Sequence, residues 1–582
     1  MGNTGMVKVV DADADADQKS VAEVFLVALM DNGIEYVFAN GGTDFAPIIE
    51  ALVSATQAGE KTPKFITVPH ENVAMAMAEG YFRLAGKPAG VMVHVTVGTA
   101  NTICGVMNAS RDNVPVLVMA GRTPLTESGD IGSRNIGIHW GQENFDQGGM
   151  LREYVKWDYE LRKGQPVETL IGRALDIAMS EPCGPVYLTL PREVLGHTVG
   201  EERKLPRERA LGNATTIPST AVIEQAAVMI GAAEKPLIIT GKVGARPGAA
   251  ETLSVLAEKY ALPIVQVGGP SLLSEHPMNL GFAVGKFLPD ADLVLVVESA
   301  VPWIPRNVEP DAAAKLIHLS PDPHYAGFPY RGFEMDLAIS GEPVQSLELI
   351  SEVLASHIDP NSATIKSRAV EITAIHDQLA ADKQKVMADA AGHTPILAPW
   401  VAACLNKIKA DDSIIISELG VNIDHVDYKV PSSIVSGGQA GGLGHGLGSA
   451  LGAKLAAPNR DVILLVGDGS YMFGAPTPAH FVAKAQNLPT LTIVMNNSQW
   501  FAVNRATRVM YPDGKADKAN EMPLVDLTPS PNYEMIMEAC GGYGEQVEDP
   551  DKLEDAMRRG LKKVRAGTPV LLNVITTPGG RD

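Results

Sequence analysis

Two short polar stretches lie directly behind apolar runs: Gly467-Asp468-Gly469-Ser470 follows 462–466, and Asn496-Asn497 follows 491–495. Glycine lets a bare backbone approach a phosphate, and the Asp468 carboxylate is a hard oxygen ligand suited to Mg²⁺. The Asn pair adds an oxygen from the next strand. These pieces allow a diphosphate, neutralised by Mg²⁺, to be held at the carboxyl ends of parallel strands. Gly-Asp-Gly alone also makes an ordinary turn after a strand. The matching Asn pair makes the signal more specific than a lone glycine-rich loop.

To present such strand ends side by side, the chain must alternate strands and helices. From 20 to about 195, β-rich runs at 36–38, 65–68, 90–95, 116–120 and 186–190 alternate with helical stretches, a doubly wound pattern. The charged stretch 200–209 buries no apolar face and reads as a linker. A second unit carries strands at 237–240, 264–267, 293–297, 316–319 and 337–339, and a third carries 413–416, 462–466, 491–495 and 570–575. The fold class is therefore α/β, with three consecutive doubly wound α/β domains at 20–196, 215–358 and 394–582. Segment 359–393 is expected to be a partly helical linker, and 1–19, with its repeat of Asp and Ala at 11–17, a disordered acidic tail.

A chain of 582 residues exceeds what one core supports. Its net charge of −20 offers no basic stripe for nucleic acid. Cys104, Cys183, Cys404 and Cys540 are scattered, so neither a zinc site nor a disulfide framework is implied, and a reducing cytoplasm suits them. Apolar runs such as 293–297 are too short to cross a bilayer, and no secretory signal is recognised at the N-terminus.

With Gly-Asp-Gly and Asn-Asn separated by 470–495, the third unit resembles the cofactor motif of the thiamine diphosphate-dependent superfamily that includes acetolactate synthase and benzoylformate decarboxylase. The resemblance covers nearly the whole chain after the tail. It implies the domain order pyrimidine-binding, central, diphosphate-binding, with thiamine diphosphate and Mg²⁺ as cofactors. Asp468, Asn497 and the main-chain carbonyl of Gln499 would hold the metal, and Gly469 and Ser470 would contact the diphosphate, with Gly467 and Gly420 in the same cofactor site. The Gly441 carbonyl would accept from the 4′-amino group, and Leu443 would prop the cofactor into its bent conformation. Gly441-Gly442-Leu443-Gly444 also reads as a plain turn entering a helix at 447–455.

The superfamily's glutamate hydrogen-bonds N1′ of the aminopyrimidine and so helps remove the C2 proton. The matching residue is Glu71, after the strand 65–68 and opening a helix over 73–81; a carboxylate there also suits the helix dipole. In the family Glu71 and Asp468 would come from different subunits, which implies a homodimer or homotetramer with sites at the interface. Asn40-Gly41-Gly42-Thr43 and 93–101 look like stretches of benzoylformate decarboxylase, where the Thr43 and His94 positions lie in the substrate pocket. His94 is thus a catalytic candidate able to relay protons, or a structural histidine, and Thr43 joins the cofactor-binding set. His324, Arg306 and Trp500 are further pocket candidates.

Acetolactate-synthase features are partly replaced. The Arg-Phe-Asp-Asp-Arg run gives way near 298–303, the Gly-Met-His-Gly flavin signature is missing around 282–285, and Ala506 stands at a selective tryptophan position. FAD is therefore not expected. The implied function is a C–C lyase that decarboxylates a 2-oxo acid without oxidation, through a ylide and an enamine. The alternatives are an acetolactate synthase-like carboligase, a 2-hydroxyacyl-CoA lyase, and a catalytically silent regulatory homologue. A small carbonyl substrate is expected, with neither nucleic acid nor membrane as partner.

Overall fold

The computed structural model describes residues 19–199, 215–519 and 522–577. The acidic repeat and the charged linker at 200–209 lie outside them. The first sheet contains β1 (Tyr36–Ala39), β2 (Lys64–Thr67), β3 (Ala89–Val93), β4 (Val116–Arg122), β5 (Asp158–Glu160) and β6 (Val186–Pro191). Their order is β2-β1-β3-β4-β6-β5, and every pairing is parallel. The second contains β7 (Pro236–Thr240), β8 (Ile264–Gln266), β9 (Leu293–Val297), β10 (Lys315–Ser320) and β11 (Leu337–Ser340), in the order β11-β10-β9-β7-β8. The third contains β12 (Ile414–Glu418), β13 (Ile434–Ser436), β14 (Val462–Gly467), β15 (Leu491–Asn496), β16 (Tyr543–Val547) and β17 (Val570–Ile575), in the order β13-β12-β14-β15-β17-β16. These are three parallel α/β domains.

Central strands such as β9 and β14 bury nearly every residue, because helices cover both faces of a parallel sheet. β5, β13 and β16 were not expected from the sequence. They lie at sheet edges or next to one and are three to five residues long, with half-buried or polar positions that leave no continuous apolar run. The 359–393 segment is also more ordered than partly helical: one helix runs from Ala363 to Asp389, opened by the Ser362 side chain accepting from the Ile365 N–H.

Two corrections bear on chemistry. The helix after β2 begins at Glu71 rather than 73, with the His70 ring accepting from the Asn72 N–H. The strand expected to run through 95 ends at Val93, and His94 caps the helix Val95–Arg111.

The helices Glu71–Ala85 and His445–Ala456 join the first domain to the third through glycines at their crossing. A Cβ on Gly80 would stand 2.0 Å from the Ser449 carbonyl oxygen, and one on Gly452 2.0 Å from that of Met77. Val73, Met77, Leu447 and Leu451 share one core across this boundary. The backbones therefore meet with no room for a side chain between them, which fixes the relative position of the two site-bearing domains.

Candidate active site

A doubly wound sheet opens a crevice where its strand order reverses. In the first sheet this point lies between β1 and β3. Asn40 follows β1, Glu71 follows β2 and His94 follows β3. Glu71 is buried, and its two carboxylate oxygens accept from Asn40 Nδ2 at 3.0 Å and Asn101 Nδ2 at 3.1 Å. Both donors are neutral amides, so the carboxylate is oriented without being neutralised.

His94 Nδ1 forms a short bond to the buried Asp44 carboxylate, while its Nε2 faces the Gln142 amide at 3.2 Å. The Asp44 hydrogen bond raises the His94 pKa above the ordinary imidazole range against the opposing effect of burial. Gly42 and Gly121 make this pairing possible: a Cβ on Gly42 would meet the His94 ring at 2.0 Å, and one on Gly121 would meet Asp44 Oδ2 at 1.7 Å. Val95 next to the histidine holds φ 29°, a strained value for a β-branched residue. Thr43 opens a 3-10 turn, and its carbonyl accepts from Arg192 Nη1 at 3.4 Å.

The third sheet reverses between β12 and β14. Leu419 and Gly420 follow β12, and Asp468 follows β14 and opens the helix Asp468–Phe473. Asp468 is buried; its Oδ1 accepts from Gly469 N at 2.9 Å and its Oδ2 from Ser498 N at 2.7 Å. Burial raises its pKa, and these backbone hydrogen bonds oppose the rise. Asn497 Oδ1 accepts from Gln499 N at 3.1 Å, which folds the two residues into one turn after β15. One carboxylate with amide and carbonyl oxygens is a donor set that suits a hard cation. Among the described residues no cluster of three or more His, Cys, Asp or Glu could hold a metal instead.

Glycine has tight packing reasons here. A Cβ on Gly467 would meet the Leu419 carbonyl oxygen at 2.9 Å, and one on Gly420 the Leu465 carbonyl carbon at 3.0 Å. Gly469 leaves its space to the Trp500 ring, 2.5 Å from where its Cβ would lie. Ser470 is buried in the first turn of the helix. Leu419 and Ser498 hold φ 55° and 56°, so strained backbone flanks the ends of β12 and β15 as it does β3.

Gly441, at φ 75°, has open space where a Cβ would point, and Leu443 is half-buried. Glu418, at the end of β12, holds this segment by accepting from Gly444 N at 2.6 Å and Gly446 N at 2.7 Å. Asn108 of the first domain binds both the N–H and the carbonyl of Gly442. Of the remaining pocket candidates, His324 and Arg306 are exposed.

The structure thus gathers Glu71, His94 and Thr43 at one crevice and Gly420, Gly467, Asp468, Gly469, Ser470, Asn497 and Gln499 at another. Among the described residues the Glu71 carboxylate bonds to Asn40 and Asn101 of its own domain. Asn40 and Asn101 stood in motifs already quoted, so an amide at a strand end was the available signal. Gln142 stood in a Gln-Glu stretch similar to that of acetolactate synthases, whereas Asp44 and Glu418 gave no signal, because their partners lie 50 and 26 positions away.

Residues 19–150 match the thiamine pyrophosphate enzyme N-terminal TPP binding domain, 223–350 the central domain and 420–574 the C-terminal TPP binding domain. The chain belongs to the thiamine pyrophosphate enzyme family. Thiamine diphosphate is its cofactor, and it is an enzyme of the decarboxylase and carboligase class. A probable acetolactate synthase large subunit of Methanocaldococcus jannaschii is 24% identical over 96% of this chain and 92% of that protein. A probable 2-ketoarginine decarboxylase of Pseudomonas aeruginosa is 26% identical over 92% and 91%. The solved 4-hydroxybenzoylformate decarboxylase of Rhodococcus jostii shares the fold with a TM-score of 0.75 at 23% identity, covering 96% of this chain and 99% of that one.

The family's two TPP binding domains here carry the two crevices just described. The central domain differs. Its sheet reverses between β7 and β9, where a Cβ on Gly241 would meet the Glu298 carbonyl oxygen at 2.3 Å. Arg246 closes the same point with two 2.6 Å bonds to Glu298 and two more, at 2.9 and 3.2 Å, to Glu181.

Proposed function

We propose that the protein is a Mg²⁺-dependent C–C lyase that decarboxylates a 2-oxo acid and releases an aldehyde. The observation that carries this is the buried Glu71 carboxylate, fixed by two amides and by no cation, at the mouth of a switch-point crevice. A carboxylate held this way keeps its capacity to share a proton with a ring nitrogen. Thiamine diphosphate, when bound, supplies the electron sink that C–C cleavage needs.

Asp468, Asn497 and the Gln499 carbonyl hold the Mg²⁺, while Gly420, Gly467, Gly469 and Ser470 form the diphosphate cradle. Gly441 and Leu443, steadied by Glu418, position the aminopyrimidine. Thr43 lines the same crevice as Glu71. His94, which Asp44 favours in its protonated form, donates a proton toward the product carbon.

The working unit is at least a homodimer, in which Glu71 of one copy faces Asp468 of the other. Large apolar side chains stand exposed on both domains, among them Ile131 and Phe145 on the first and Phe501, Met510 and Leu524 on the third. Flavin is not expected as a cofactor, because the flavin signature is missing around 282–285. The domains run 20–196, 215–358 and 394–582, and the four free thiols suit a cytoplasmic location.

The test is a product screen with pyruvate, 2-oxobutyrate and phenylglyoxylate, with and without an added aldehyde, in the presence of thiamine diphosphate and Mg²⁺. Release of CO₂ and a free aldehyde from one of them is expected. A condensed 2-hydroxy ketone or acetohydroxy acid as the main product would replace this reading with the carboligase, which the full-length likeness to acetolactate synthases favours. No CO₂ from any of them would sink it.

A further inference from the structure

The two helices that join the first domain to the third carry four buried polar atoms with no hydrogen-bond partner among the described residues. Glu79 Oε1 and Arg83 Nε stand one turn apart on Glu71–Ala85, and His445 Nδ1 and Ser449 Oγ one turn apart on His445–Ala456. Three titratable groups converge on Gly437, just ahead of the cofactor-facing turn. A Cβ there would lie 2.8 Å from Glu79 Oε1, 3.3 Å from His445 Cε1 and 3.4 Å from Asp112 Oδ2.

The charges around this point are uneven. Glu79 and Asp112 are buried, and Arg83 Nη2 stands 3.7 Å from an oxygen of each. Among the described residues no other cation comes within ion-pair distance of either. Lys242 of the central domain gives its ammonium to the Arg111 carbonyl and Asn113 Oδ1 instead. His445 Nε2 faces Glu418 Oε1 at 3.9 Å, a carboxylate already bonded to the N–H groups of Gly444 and Gly446. Two carboxylates sharing one buried site raise the proton affinity of the pair. Asp112 Oδ2 accepts from Gly438 N at 2.7 Å, which favours its charged form, so Glu79 is the member that takes the proton. Burial, and then the Asp112 charge, raise the Glu79 pKa to about 7 against the opposing pulls of His445 and Arg83.

We propose that Glu79 holds a proton, shares it with Asp112, and through that pair is a positioning residue for the turn leading to Gly441 and Leu443. Asp112 holds Gly438 N, and the Gly438 carbonyl in turn accepts from Gly441 N at 2.7 Å. Asn108, one helical turn before Asp112, holds both polar groups of Gly442. The Asn108 contact is indifferent to pH, whereas the Asp112 contact depends on the proton beside it. When that proton leaves to solvent, two anions face each other across Gly437 and the turn loosens. The folded pair keeps a proton that ordinary carboxylates of the unfolded chain release, so its stabilisation is present in acid and lost as pH rises through the raised value. That the turn places the aminopyrimidine rests on the function proposed above; the shared proton does not.

The test is infrared difference spectroscopy of the thiamine diphosphate- and Mg²⁺-loaded protein between about pH 6 and about pH 9, a range that brackets the raised value. The C=O stretch of one protonated buried carboxylic acid is expected at the acid end and should vanish at the alkaline end. Glu79→Gln, which keeps the size and the donor of the protonated acid, should lack it. Asp112→Asn removes the raising charge and should move its loss to lower pH. Over the same range, amide exchange at 437–442, corrected for its intrinsic rate, should quicken in the wild type and stay level in Glu79→Gln. Thiamine diphosphate affinity should fall about tenfold in the wild type, the equivalent of one pKa unit, and far less in the variant.

No such band in the wild type, or a band that persists in Glu79→Gln, overturns the shared proton. If that variant does not fold, Asp112→Asn decides: an unmoved alkaline loss overturns the pairing. Exchange and affinity that change with pH equally in wild type and Glu79→Gln overturn the positioning role. A wild-type protein that releases no aldehyde would end the proposed function, while the band and the exchange rates, read without turnover, still decide this inference.

Discussion

The outer sheets and the central sheet each bring a carboxylate to the carboxyl end of a strand and hold it in opposite ways. Glu71 is fixed by two side-chain amides and Asp468 by two backbone N–H groups, whereas Glu298 is locked to the Arg246 guanidinium. Neutral donors set a carboxylate's direction and leave its charge for a ligand. A paired arginine consumes both charge and space. One fold can therefore leave two carboxylates free for a ligand and commit a third to an ion pair, and the partner of each carboxylate decides which.

The sharpest break in the comparison removes the charge itself. Glu71→Gln keeps size and packing but loses the acid, so turnover should fall by about 10²- to 10⁴-fold on every substrate while cofactor binding survives. Steady-state kinetics beside cofactor calorimetry checks this, and a loss confined to one substrate would make Glu71 a positioning residue. In the other crevice, Asp468→Ala should weaken Mg²⁺-dependent cofactor retention by at least about 10- to 100-fold, read by fluorescence quenching on cofactor titration. Unchanged affinity would remove the metal assignment.

Removing the neutral donors should cost less. Asn40→Ala or Asn101→Ala deletes one hydrogen bond to a charged group, of about 1.5–3 kcal/mol, and so should slow turnover by roughly 10- to 150-fold if that bond is needed to orient Glu71. Conversely, Arg246→Met should destabilise the central domain by about 2 kcal/mol, below the range for a fully buried pair because Arg246 remains partly exposed. Thermal melting reads that loss. The wild-type protein should carry no flavin absorbance, and stoichiometric flavin released on denaturation would show that the signature missing around 282–285 is dispensable.

The smallest effect concerns protonation. Asp44 raises the His94 pKa, so the protonated pair stabilises the fold fully below the unfolded imidazole value and loses that contribution as pH rises through the folded value. Asp44→Asn should therefore move the alkaline limb of the rate profile to lower pH. An unmoved limb would take His94 out of proton transfer.

How much of this was legible in advance follows from what each feature needs. β9 and β14 are covered on both faces, so every position is apolar and the run announces itself. Gly467-Asp468-Gly469 and Asn496-Asn497 were readable because strand-end chemistry is compressed into a few adjacent positions. β5 was not readable: Asp158-Tyr159-Glu160 sits at an edge, where pairing with β6 and the stacked rings of Trp157 and Tyr159 supply order that composition does not show. The strand before His94 also ended at Val93, two residues earlier than its apolar run suggested, since His94 turns out of the strand to meet Asp44.

By itself the sequence determined the three α/β units, which rest on local periodicity, and it carried the cofactor motif in residues close together in the chain, while Glu71 was singled out by its resemblance to the family's glutamate. Only the tertiary structure decided which carboxylates are free to act. Asp44 reaches His94 across 50 positions, Asn101 reaches Glu71 across 30, and Arg246 reaches Glu298 across 52. Pairings at that range are set by how the sheets stack their strand ends, and burial makes each pairing decisive: away from water, a carboxylate's charge is governed by its nearest donor.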